Sequence, residues 1–356
     1  LPAADAVRWV RARHHPRAVE TPWQRRWLRS LGRDAGPPGL GPPAGSRREL
    51  ASGGGQEGPL RVRRMVSVDQ PAPDPTDVAR AHRAVEPLHN HVYFSPEQDE
   101  YLTAVGLRPG RMCYFAGRAA AMGAVGAGTV VATFSNFAPA LVARHVPRAW
   151  TLASPEQVLA ARLDGARASL TRLLGGPDAA AAPEVAELAG LLREACSVLT
   201  PEGRPPYAGH ADQPWPDEPV PALWHGATLL REHRGDAHVA GLVRSGLSGL
   251  ESLVTHTLTG RGFTEAAAKA SRGWSDEEWA VACERLAERG VLADGGLTDE
   301  GRRLRAEIET GTDALSAAPW QHLGRERTAR VIELGRQLSG RLVANGAYPA
   351  GVFSAR

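Results

Sequence analysis

The sequence of 356 residues is poor in cysteine and lysine, and it contains no long apolar segment. Its three cysteines, Cys113, Cys196 and Cys283, lie far apart without a Cys-x-x-Cys pair, so neither a disulfide framework nor a thiolate zinc site is indicated. No window approaches the roughly 18 uninterrupted apolar residues that a membrane helix requires, and the start lacks the apolar core of a signal peptide. We therefore expect a cytoplasmic protein without a membrane partner.

Arginine carries almost all of the positive charge, and it is unevenly distributed. Lys269 is the only lysine against forty-one arginines. Residues 1–64 hold thirteen arginines and five acidic residues, which leaves 29 basic and 34 acidic residues, a net charge of −5, for residues 65–356. Long-range attraction to phosphate is the largest sequence-independent term in DNA binding. That attraction is missing from the part of the chain that is expected to fold.

Residues 1–76 are a low-complexity stretch rich in Arg, Pro and Gly. Such a stretch buries too little apolar surface to offset the entropy lost on ordering, which favours disorder. It is either a basic arm for nucleic acid or, as we favour, an over-long start that precedes a natural initiator at Met65.

The remaining chain consists of helical patterns separated by Gly and Pro, which predicts a mainly α fold. Two Ser-Pro-Glu-Gln segments, at residues 95–98 and 154–157, have the spacing of a capping box at a helix start. A chain of this length is expected to hold about two domains of roughly 150 residues each. We expect a helical domain with a ligand pocket at 77–215, then a linking helix, winged helix-turn-helix and closing helix at 216–346, and a tail at 347–356.

Residues 260–319 have the element order of a winged helix-turn-helix. Two short helical segments are separated by Arg272-Gly273-Trp274. An Asp294-Gly295-Gly296 turn then lies between Gly290-Val291-Leu292 and Leu297-Thr298, which predicts a short β-hairpin, and a long helical segment follows. The hairpin corresponds to the wing.

Several segments resemble known families. One segment resembles the end of the recognition helix, the wing and the following helix of MarR-type regulators: RLAERGVLADGGLTDEGRRLRAEIETGTDAL. The usual sequence motif of those regulators is Leu-Glu-x-x-Gly, then the wing, then Leu-Thr-x-x-Gly. Four further segments are similar to those of an actinobacterial family that carries such a winged helix at its C-terminus and in which few activities are assigned. They are EPLHNHVYFSPE, YFAGRAAAMG, ATFSNFAPALVARHVPRAW and LREHRGDAHVAGL. This second resemblance covers about residues 77–346, and it implies the fold and a cytoplasmic bacterial setting.

The predicted recognition helix departs from a DNA-reading helix, which presents Arg, Lys, Ser, Asn or Gln from its first turns. It begins Ser275-Asp276-Glu277-Glu278-Trp279, with three consecutive carboxylates that suit the helix dipole but repel phosphate. The wing also lacks the Asp-x-Arg of MarR wings. A winged helix used only as a structural or dimerising module is therefore an alternative. The candidate DNA contacts are the basic residues around these elements, namely Arg261, Lys269, Arg272, Arg302 and Arg303.

A histidine-rich stretch, residues 219–258, joins the two parts. Its apolar residues recur at helical spacing, so one face is expected in the core. If the helix continues through Gly235, then His225, Glu232 and Asp236 share one face. These side chains can bind a divalent metal or act as a general acid and base.

If the helix breaks at Gly235, His233 and His238 converge instead and form the other candidate metal pair. The ordinary alternative to both arrangements is a polar helix face. In that case Arg231 and Arg234 form i to i+4 ion pairs with the nearby acids, and His233 lies in solvent.

The front part offers candidate ligand-binding side chains near residue 90. His89 and His91 bracket Asn90, and both face one pocket with Tyr93 if the preceding helix ends by Leu88, because alternate residues point the same way in an extended chain. Otherwise His89 is a charged residue at a helix C-terminus, where the dipole favours an imidazolium.

Arg118 is a lone charge in an apolar, small-residue helix. A buried arginine needs a partner, either a structural carboxylate or an anionic ligand. The ligand interpretation accounts for the aromatic neighbours, with Phe134, Asn136 and Phe137 as pocket wall.

These patterns favour three functions. The first is a ligand-responsive, MarR-like transcriptional regulator that binds DNA as a homodimer, with a small-molecule site formed by His89, His91, Tyr93, Arg118, Asn136, His233 and Asp236. The second is a metal-binding protein or enzyme that keeps the winged helix as a scaffold, with metal candidates at His225, Glu232, His233 and His238. The third is a non-enzymatic interaction module. The sequence identifies no cofactor, catalytic residue or ligand, and we favour a protein that is not an enzyme.

Overall fold

The computed structural model describes residues 72–349, which lie in one compact unit. The predictions of a disordered or over-long start at 1–76 and of a tail at 347–356 fall mostly outside the described residues. Where the described chain begins, Asp74 caps the first helix by accepting a hydrogen bond from the Thr76 N–H at 2.8 Å.

The described residues form helices and one short hairpin, as expected for a mainly α fold. In the helical core and the layer beside it, the α-helices in chain order are α1 (Pro75–Asn90), α2 (Pro96–Ala104), α3 (Arg111–Ala119), α4 (Ala127–Phe134), α5 (Pro139–Ala143), α6 (Val146–Ala149), α7 (Pro155–Leu174), α8 (Pro177–Ala180), α9 (Pro183–Cys196), α10 (Pro205–Ala211) and α11 (Pro219–Arg244). Then come α12 (Gly249–Thr257), α13 (Glu265–Arg272), α14 (Asp276–Glu288), β1 (Leu292–Ala293), β2 (Gly296–Leu297), α15 (Asp299–Leu315) and α16 (Ala318–Ala344). Single 3-10 turns span His91–Tyr93 and Ala120–Met122.

The largest apolar core joins α1, α7, α9, α11 and α16. Its fully buried side chains include Leu88, Leu170, Leu188, Leu223 and Leu334. Burial of one such side chain contributes roughly 1.5–3 kcal/mol. The closing helix α16 packs along α1, where the Ser339 hydroxyl donates to the Ala84 carbonyl at 2.7 Å. The last helix therefore packs back on the core of its own chain.

Helices α2 to α6 form a smaller layer beside α7. One apolar cluster of this layer centres on Leu102 and Met112, and another on Phe115 and Phe137. α2 packs along α7, and α3 contacts α2, α6 and α7. Because α3 is held from several sides, its Arg118 is fixed toward α11.

The winged helix-turn-helix is formed by α12, α13, α14, the β1–β2 hairpin and α15. The strands pair antiparallel with Leu292 opposite Leu297. Asp294 and Gly295 both have positive φ, 50° and 72°, which is the requirement of the tight two-residue turn that Asp-Gly favours. The mainly α fold with a short hairpin wing is confirmed.

The two predicted capping boxes have different outcomes. Ser154 and Gln157 exchange the expected reciprocal hydrogen bonds at the start of α7. The prediction at Ser95 is wrong, because its hydroxyl donates to the His91 carbonyl at 3.0 Å and makes no cap. Gln98, the other half of that box, is buried inside the protein instead.

α11 runs unbroken from Pro219 to Arg244, so the alternative in which the chain breaks at Gly235 is wrong. A glycine in a helix interior costs about 1 kcal/mol relative to alanine. α11 packs against α1, α7, α9, α10 and α15, and this burial outweighs the local cost. α11 therefore contacts both the helical core and the winged helix.

None of the helices within residues 72–349 combines the length and the apolarity that a membrane crossing requires. Arg111–Met122 and Ala127–Phe134 meet both requirements only when taken together, and they bend by 91° where they join. Both helices contribute buried side chains to the apolar clusters of the α2–α6 layer.

Candidate functional site

A buried ion pair connects α3 to α11. Arg118 Nη2 lies 3.4 Å from Glu232 Oε2, and both side chains are more than nine-tenths buried. Arg231 Nη1 lies 2.7 Å from the same oxygen, so one carboxylate faces two guanidinium groups. Burial raises the pKa of Glu232, but Arg231 and Arg118 outweigh burial and hold that pKa well below its ordinary value. The cluster keeps one positive charge in excess.

Aromatic rings surround Arg118. Its guanidinium lies 3.9 Å from the centroid of the Phe134 ring, and Nη1 donates to the Tyr114 hydroxyl at 3.1 Å. The Tyr93 ring lies 5.9 Å away. Ring faces attract a cation, and more strongly where water is excluded. The structure thus supplies Arg118 with both a structural carboxylate and an aromatic surround.

Tyr93 is connected to α11 through His89. His89 Nε2 lies 2.8 Å from the Tyr93 hydroxyl, and Nδ1 lies 2.9 Å from Thr228 Oγ1. Because Thr228 donates its proton to the Trp224 carbonyl, it accepts from His89, and His89 Nε2 accepts from Tyr93. Burial lowers the pKa of His89 well below its ordinary value, so the ring is neutral. His89 does lie in the last turn of α1, but the alternative of a charged imidazolium there is wrong, because the ring is buried.

A cavity of about 480 Å³ lies beside Arg118, between α2, α3 and α7. We call it the arginine cavity, and its polar walls include Tyr93, Gln98, Tyr114, Arg118 and Arg162. This volume is in the range of small-molecule sites in proteins.

A second cavity, of about 250 Å³, shares Tyr114 and Arg118 as walls. We call it the junction cavity, because its other walls come from the α2–α6 layer, from α11 and from the winged helix: Phe134, Asn136, Glu232, Asp236, Ser252, His256 and Arg272. Burial raises the pKa of Asp236 to about 7, although its carboxylate accepts a hydrogen bond from the Tyr207 N–H at 3.2 Å. An ionisable group with a pKa near neutrality therefore lines the junction.

The segment that follows α4, residues 135–141, lies directly on the helix-turn-helix. We call it the docking segment. The Asn136 carbonyl accepts a hydrogen bond from Trp274 Nε1 at 2.9 Å, and the Ala138 N–H donates to the Arg272 carbonyl at 2.9 Å. Both bonds reach the turn between α13 and α14, which in a helix-turn-helix precedes the recognition helix.

Two glycines of the winged helix make room for the docking segment. A Cβ on Gly249, at the start of α12, would lie 1.9 Å from the Ser135 carbonyl oxygen. Gly273 has a φ of +76°, and a Cβ there would lie 2.9 Å from the Leu141 side chain. These two close approaches hold the docking segment against the start of α12 and against the turn between α13 and α14.

The predicted ligand residues are divided between the two cavities. Tyr93 and Arg118 line the arginine cavity, and Arg118, Asn136 and Asp236 line the junction cavity. His89 holds Tyr93 from behind, through the hydrogen bond between its ring and the hydroxyl.

His91 and His233 lie elsewhere. His91 Nε2 is 2.9 Å from Ser169 Oγ, and the His233 ring lies 5.1 Å from that of Tyr207. The expectation that His89 and His91 face one pocket is wrong, since the chain is still helical there and residues two apart point about 200° from each other. A His233 in solvent is also wrong, because α11 is enclosed by its neighbours and burial lowers the pKa of that ring to about 4.

The metal candidates have separate environments. His225 lies against Trp215 with ring centroids 4.8 Å apart, and His238 Nδ1 lies 3.2 Å from Thr312 Oγ1. Glu232 is engaged by arginines, and His233 faces a tyrosine. Within residues 72–349, no three His, Cys, Asp or Glu side chains gather as metal ligands. Within the described residues, the packing of α11 directs these four candidates to separate partners.

Most of the candidate DNA contacts are already paired with carboxylates. Lys269 Nζ lies 2.6 Å from Glu265 and 2.8 Å from Asp276. Arg302 and Arg303 each pair with an acidic residue three positions earlier in α15. Phosphate would have to compete with these carboxylates.

The other two candidates differ from each other. Arg272 lines the junction cavity, with its guanidinium 4.7 Å from the ring centroid of Phe137 and 4.8 Å from that of Phe263. Arg261 is exposed and has no carboxylate within 4 Å in the described part of the chain. Residues 246–315, which include the winged helix, hold eight basic and thirteen acidic residues, a net charge of −5.

Sequence reasoning missed Arg162 and Gln98, two buried polar walls of the arginine cavity. Arg162 lies four residues after Val158 and four before Ala166, so it occupies the buried stripe of α7. Gln98 lies four residues before the buried Leu102 on α2. A polar residue at an apolar position of a helical repeat is the signal that could have identified both.

The model of a helix-turn-helix family matches residues 78–349. The match includes the helical core as well as the winged helix. No curated protein matches the chain, and no solved structure does.

Proposed function

Because this chain belongs to the helix-turn-helix family whose model matches residues 78–349, we propose that it is a ligand-responsive, MarR-like regulator that binds DNA. In this proposal residues 77–215 hold the ligand and residues 216–346 carry the DNA-binding element. The observation that supports it is the docking segment, which follows Phe134 in the wall of the junction cavity and contacts the turn before α14.

The contacts between cavity and turn are continuous. Arg118 lies on the Phe134 ring, and Phe134 is the last residue of α4. The next residues are the docking segment, whose Asn136 carbonyl holds Trp274. A ligand that engages Arg118 therefore acts on the residue that precedes the docking segment. It can change DNA affinity only to the extent that it binds the docked and released forms unequally.

The docked form restricts access to α14. A groove of about 530 Å³ has Glu277, Val281 and Arg285 of α14 on one side and Val131 and Pro139 on the other. A recognition helix inserts its N-terminal residues into the major groove, and the docking segment lies beside that end. We expect release of the segment to raise DNA affinity, with Arg261, Arg302 and Arg303 as contacts to phosphate.

The experiment compares the wild-type protein with Trp274→Phe. This change removes the Nε1–H that donates to Asn136 and keeps an aromatic ring. Duplexes are enriched from a random-sequence pool, and binding of the best is measured by fluorescence anisotropy at 50 and 200 mM salt. We expect the wild type to bind with salt-sensitive affinity, and Trp274→Phe to bind several-fold more tightly.

Trp150→Phe is the matched control. Trp150 Nε1 donates to the Val125 carbonyl at 2.8 Å within the α2–α6 layer, so this variant loses the same kind of hydrogen bond away from the turn. Equal affinity of wild type and Trp274→Phe would contradict the role of the docking segment. If neither protein enriches a duplex, the DNA-binding proposal fails.

A homodimer is part of the proposal. Helix-turn-helix proteins commonly bind two half-sites about one helical turn apart, and the two-fold symmetry of the site matches a dimer. Light scattering after size exclusion measures the mass in solution. A monomer at the concentrations that bind DNA would contradict this part.

A protein-interaction module is the second candidate. The net charge of −5 across residues 246–315 and the acidic start of α14 support it, because both disfavour phosphate. The DNA enrichment separates the two candidates, since an interaction module retains no duplex at either salt concentration.

A further inference from the structure

A long stretch of the α2–α6 layer contains no acidic residue. Residues 101–155 hold five arginines and no aspartate or glutamate, a net charge of +5. Arg118 is buried and paired with Glu232. The other four have no carboxylate oxygen within 4 Å in residues 72–349: they are Arg108, Arg111, Arg144 and Arg148. This stretch is therefore opposite in charge to residues 246–315, which include the winged helix and have a net charge of −5.

Three of these arginines meet around one histidine. Arg111 is one helical turn before Phe115 on α3, and the Phe115 ring lies beside that of His145, with centroids 6.0 Å apart. Arg144 directly precedes His145, and Arg148 follows it by three residues on α6, so both are its neighbours. Burial lowers the pKa of His145, and the charges of Arg144 and Arg111 lower it further. We call Arg111, Arg144 and Arg148 the basic surface.

The basic surface is open to solvent. Arg144 and Arg148 are exposed, and Arg111 is half-buried. Asp99 of α2 lies near the start of α3, where it accepts a hydrogen bond from the Gly110 N–H at 3.1 Å, and it is not within 4 Å of a guanidinium. Exposed charges of one sign that the protein does not compensate attract a polyanion.

The basic surface continues onto the helix-turn-helix. The Leu141 side chain lies against Gly273, in the turn between α13 and α14, at 2.9 Å from the position of a Cβ there. Arg144 follows Leu141 by three residues and still has helical φ and ψ, so the two side chains are neighbours on α5. The surface is therefore next to the turn that precedes α14.

We propose that the basic surface binds the phosphate backbone of the DNA duplex that the winged helix reads. A duplex carries one negative charge per about 1.7 Å of its axis, so neighbouring arginines can each reach a phosphate. Phosphate contacts supply affinity and position the protein without reading sequence. The winged helix contributes little of this affinity, because its net charge is negative and most of its candidate contacts are paired with carboxylates. The inference rests on the proposed function, since it names the surface that holds the duplex.

This role is compatible with release of the docking segment. α6 packs on α3, and α3 packs on α7, so Arg111 and Arg148 keep their places when that segment moves. Charges also interact over about 10 Å at 0.1 M salt. The basic surface therefore attracts phosphate in the docked and in the released form.

The test measures DNA binding by the full chain and by the double variant Arg144→Gln/Arg148→Gln. Both side chains are exposed, so these changes are not expected to unfold the protein. Anisotropy titrations use the enriched duplex and a shuffled duplex at 50 and 200 mM salt. We expect the variant to bind both duplexes about tenfold more weakly than the wild type at 50 mM salt, because phosphate contacts do not depend on sequence. Its log K should depend less steeply on log salt by about 1.8, the value for two phosphate contacts.

Two further double variants are the matched controls. Arg325→Gln/Arg336→Gln removes two exposed arginines of α16, so it changes the net charge equally, and it should bind like the wild type. Arg144→Lys/Arg148→Lys keeps both charges on the basic surface and should also bind close to the wild type. Equal losses in the α16 variant and in Arg144→Gln/Arg148→Gln would mean that net charge alone acts, which would overturn the inference.

The remaining outcomes separate this inference from the proposed function. If the wild type binds the duplex and Arg144→Gln/Arg148→Gln binds it equally well, the inference is overturned while DNA binding by the winged helix stands. If the wild type binds no duplex, both are overturned. Vesicles of equal parts phosphatidylcholine and phosphatidylserine test the other polyanion: arginine-dependent binding to them, without binding to DNA, would assign the basic surface to a membrane instead.

Discussion

Arg118 and Glu232 are separated by 114 positions in the sequence, and their side chains meet at 3.4 Å in the interior. The pair joins α3 of the α2–α6 layer to α11, which also packs against α15 of the winged helix. The two partners are not equivalent. Glu232 also faces Arg231, whereas Arg118 faces no carboxylate other than Glu232 within 4 Å in residues 72–349.

Glu232→Gln is therefore expected to destabilise the protein more than Arg118→Met does. The first change leaves two guanidinium groups without a carboxylate, and loss of one partner from a buried pair typically costs about 3–5 kcal/mol. The second change leaves Glu232 paired with Arg231, so its cost is smaller. Urea unfolding followed by tryptophan fluorescence gives both free energies.

Glu187→Gln is the control for this comparison. Glu187 pairs with Arg330 at 2.7 Å on the surface, where solvent screens the pair, so its loss should leave the free energy of unfolding nearly unchanged. Arg118→Met costing as much as Glu232→Gln would contradict the shared-carboxylate arrangement.

The winged helix could be predicted from sequence because its signals are local. Asp294 and Gly295 adopt the positive φ angles that an Asp-Gly hairpin turn requires. At the start of α14, Ser275 and Glu278 form a capping box within four residues. Each signal depends on neighbours in the chain, so distant packing does not alter it.

The cavity residues could be predicted only in part. Arg118 was identifiable as a charge within an apolar helix, but its partner lies on α11 and meets it only because α3 and α11 both pack against α7. Periodicity indicates that a residue such as Arg162 is buried, and it does not indicate what the residue faces. The same limit applies to the histidines. Their number in one stretch suggested a shared site, but in the folded chain each ring contacts a different partner.

Gly249→Ala tests the contact between the docking segment and α12. The added Cβ would lie 1.9 Å from the Ser135 carbonyl oxygen, and no side-chain rotation relieves a clash between backbone and Cβ. We expect the free energy of unfolding to fall by about 1–3 kcal/mol, as for other overpacked positions. Chemical unfolding of the full chain measures the change.

Gly190→Ala is the matched control for this substitution. Gly190 is an exposed position inside α9, and a Cβ there meets nothing within 4 Å. Alanine should raise stability by roughly 0.5–1 kcal/mol, because it restricts the unfolded chain and favours the helix. If both variants gain stability, the close approach of Ser135 to Gly249 is refuted.

Asp236 is expected to make stability depend on pH in the opposite sense to an ordinary carboxylate. Burial raises its pKa from 3.8 to about 7, so the folded state binds the proton more tightly than the unfolded state does. Its stabilising contribution is present below pH 4 and is lost as the pH rises toward 7. The stability gained by Asp236→Asn, relative to wild type, should therefore grow by on the order of 2 kcal/mol from pH 5 to pH 8.

Comparison with the variant isolates this effect from the buried histidines. Burial lowers the pKa of His82 and His210 to about 3, so both proteins lose stability as the pH falls below 6.5, and that background cancels in the difference. Urea midpoints at four pH values suffice. A difference between Asp236→Asn and wild type that stays constant with pH would mean that Asp236 titrates normally.

Glu277→Lys tests whether the start of α14 faces DNA. Glu277 is exposed at the second position of the helix, and in a DNA-reading helix this position lies close to the backbone or base edges. Reversal of its charge should strengthen binding to the enriched duplex several-fold at 50 mM salt. It should also steepen the dependence of log K on log salt by about 0.9, the value for one additional phosphate contact.

Glu326→Lys is the control for this substitution. It introduces the same change in net charge on the exposed face of α16 and should leave the salt dependence of DNA binding unchanged. If the two variants affect DNA binding equally, the effect is that of net charge, α14 does not enter the groove, and the interaction module becomes the favoured function.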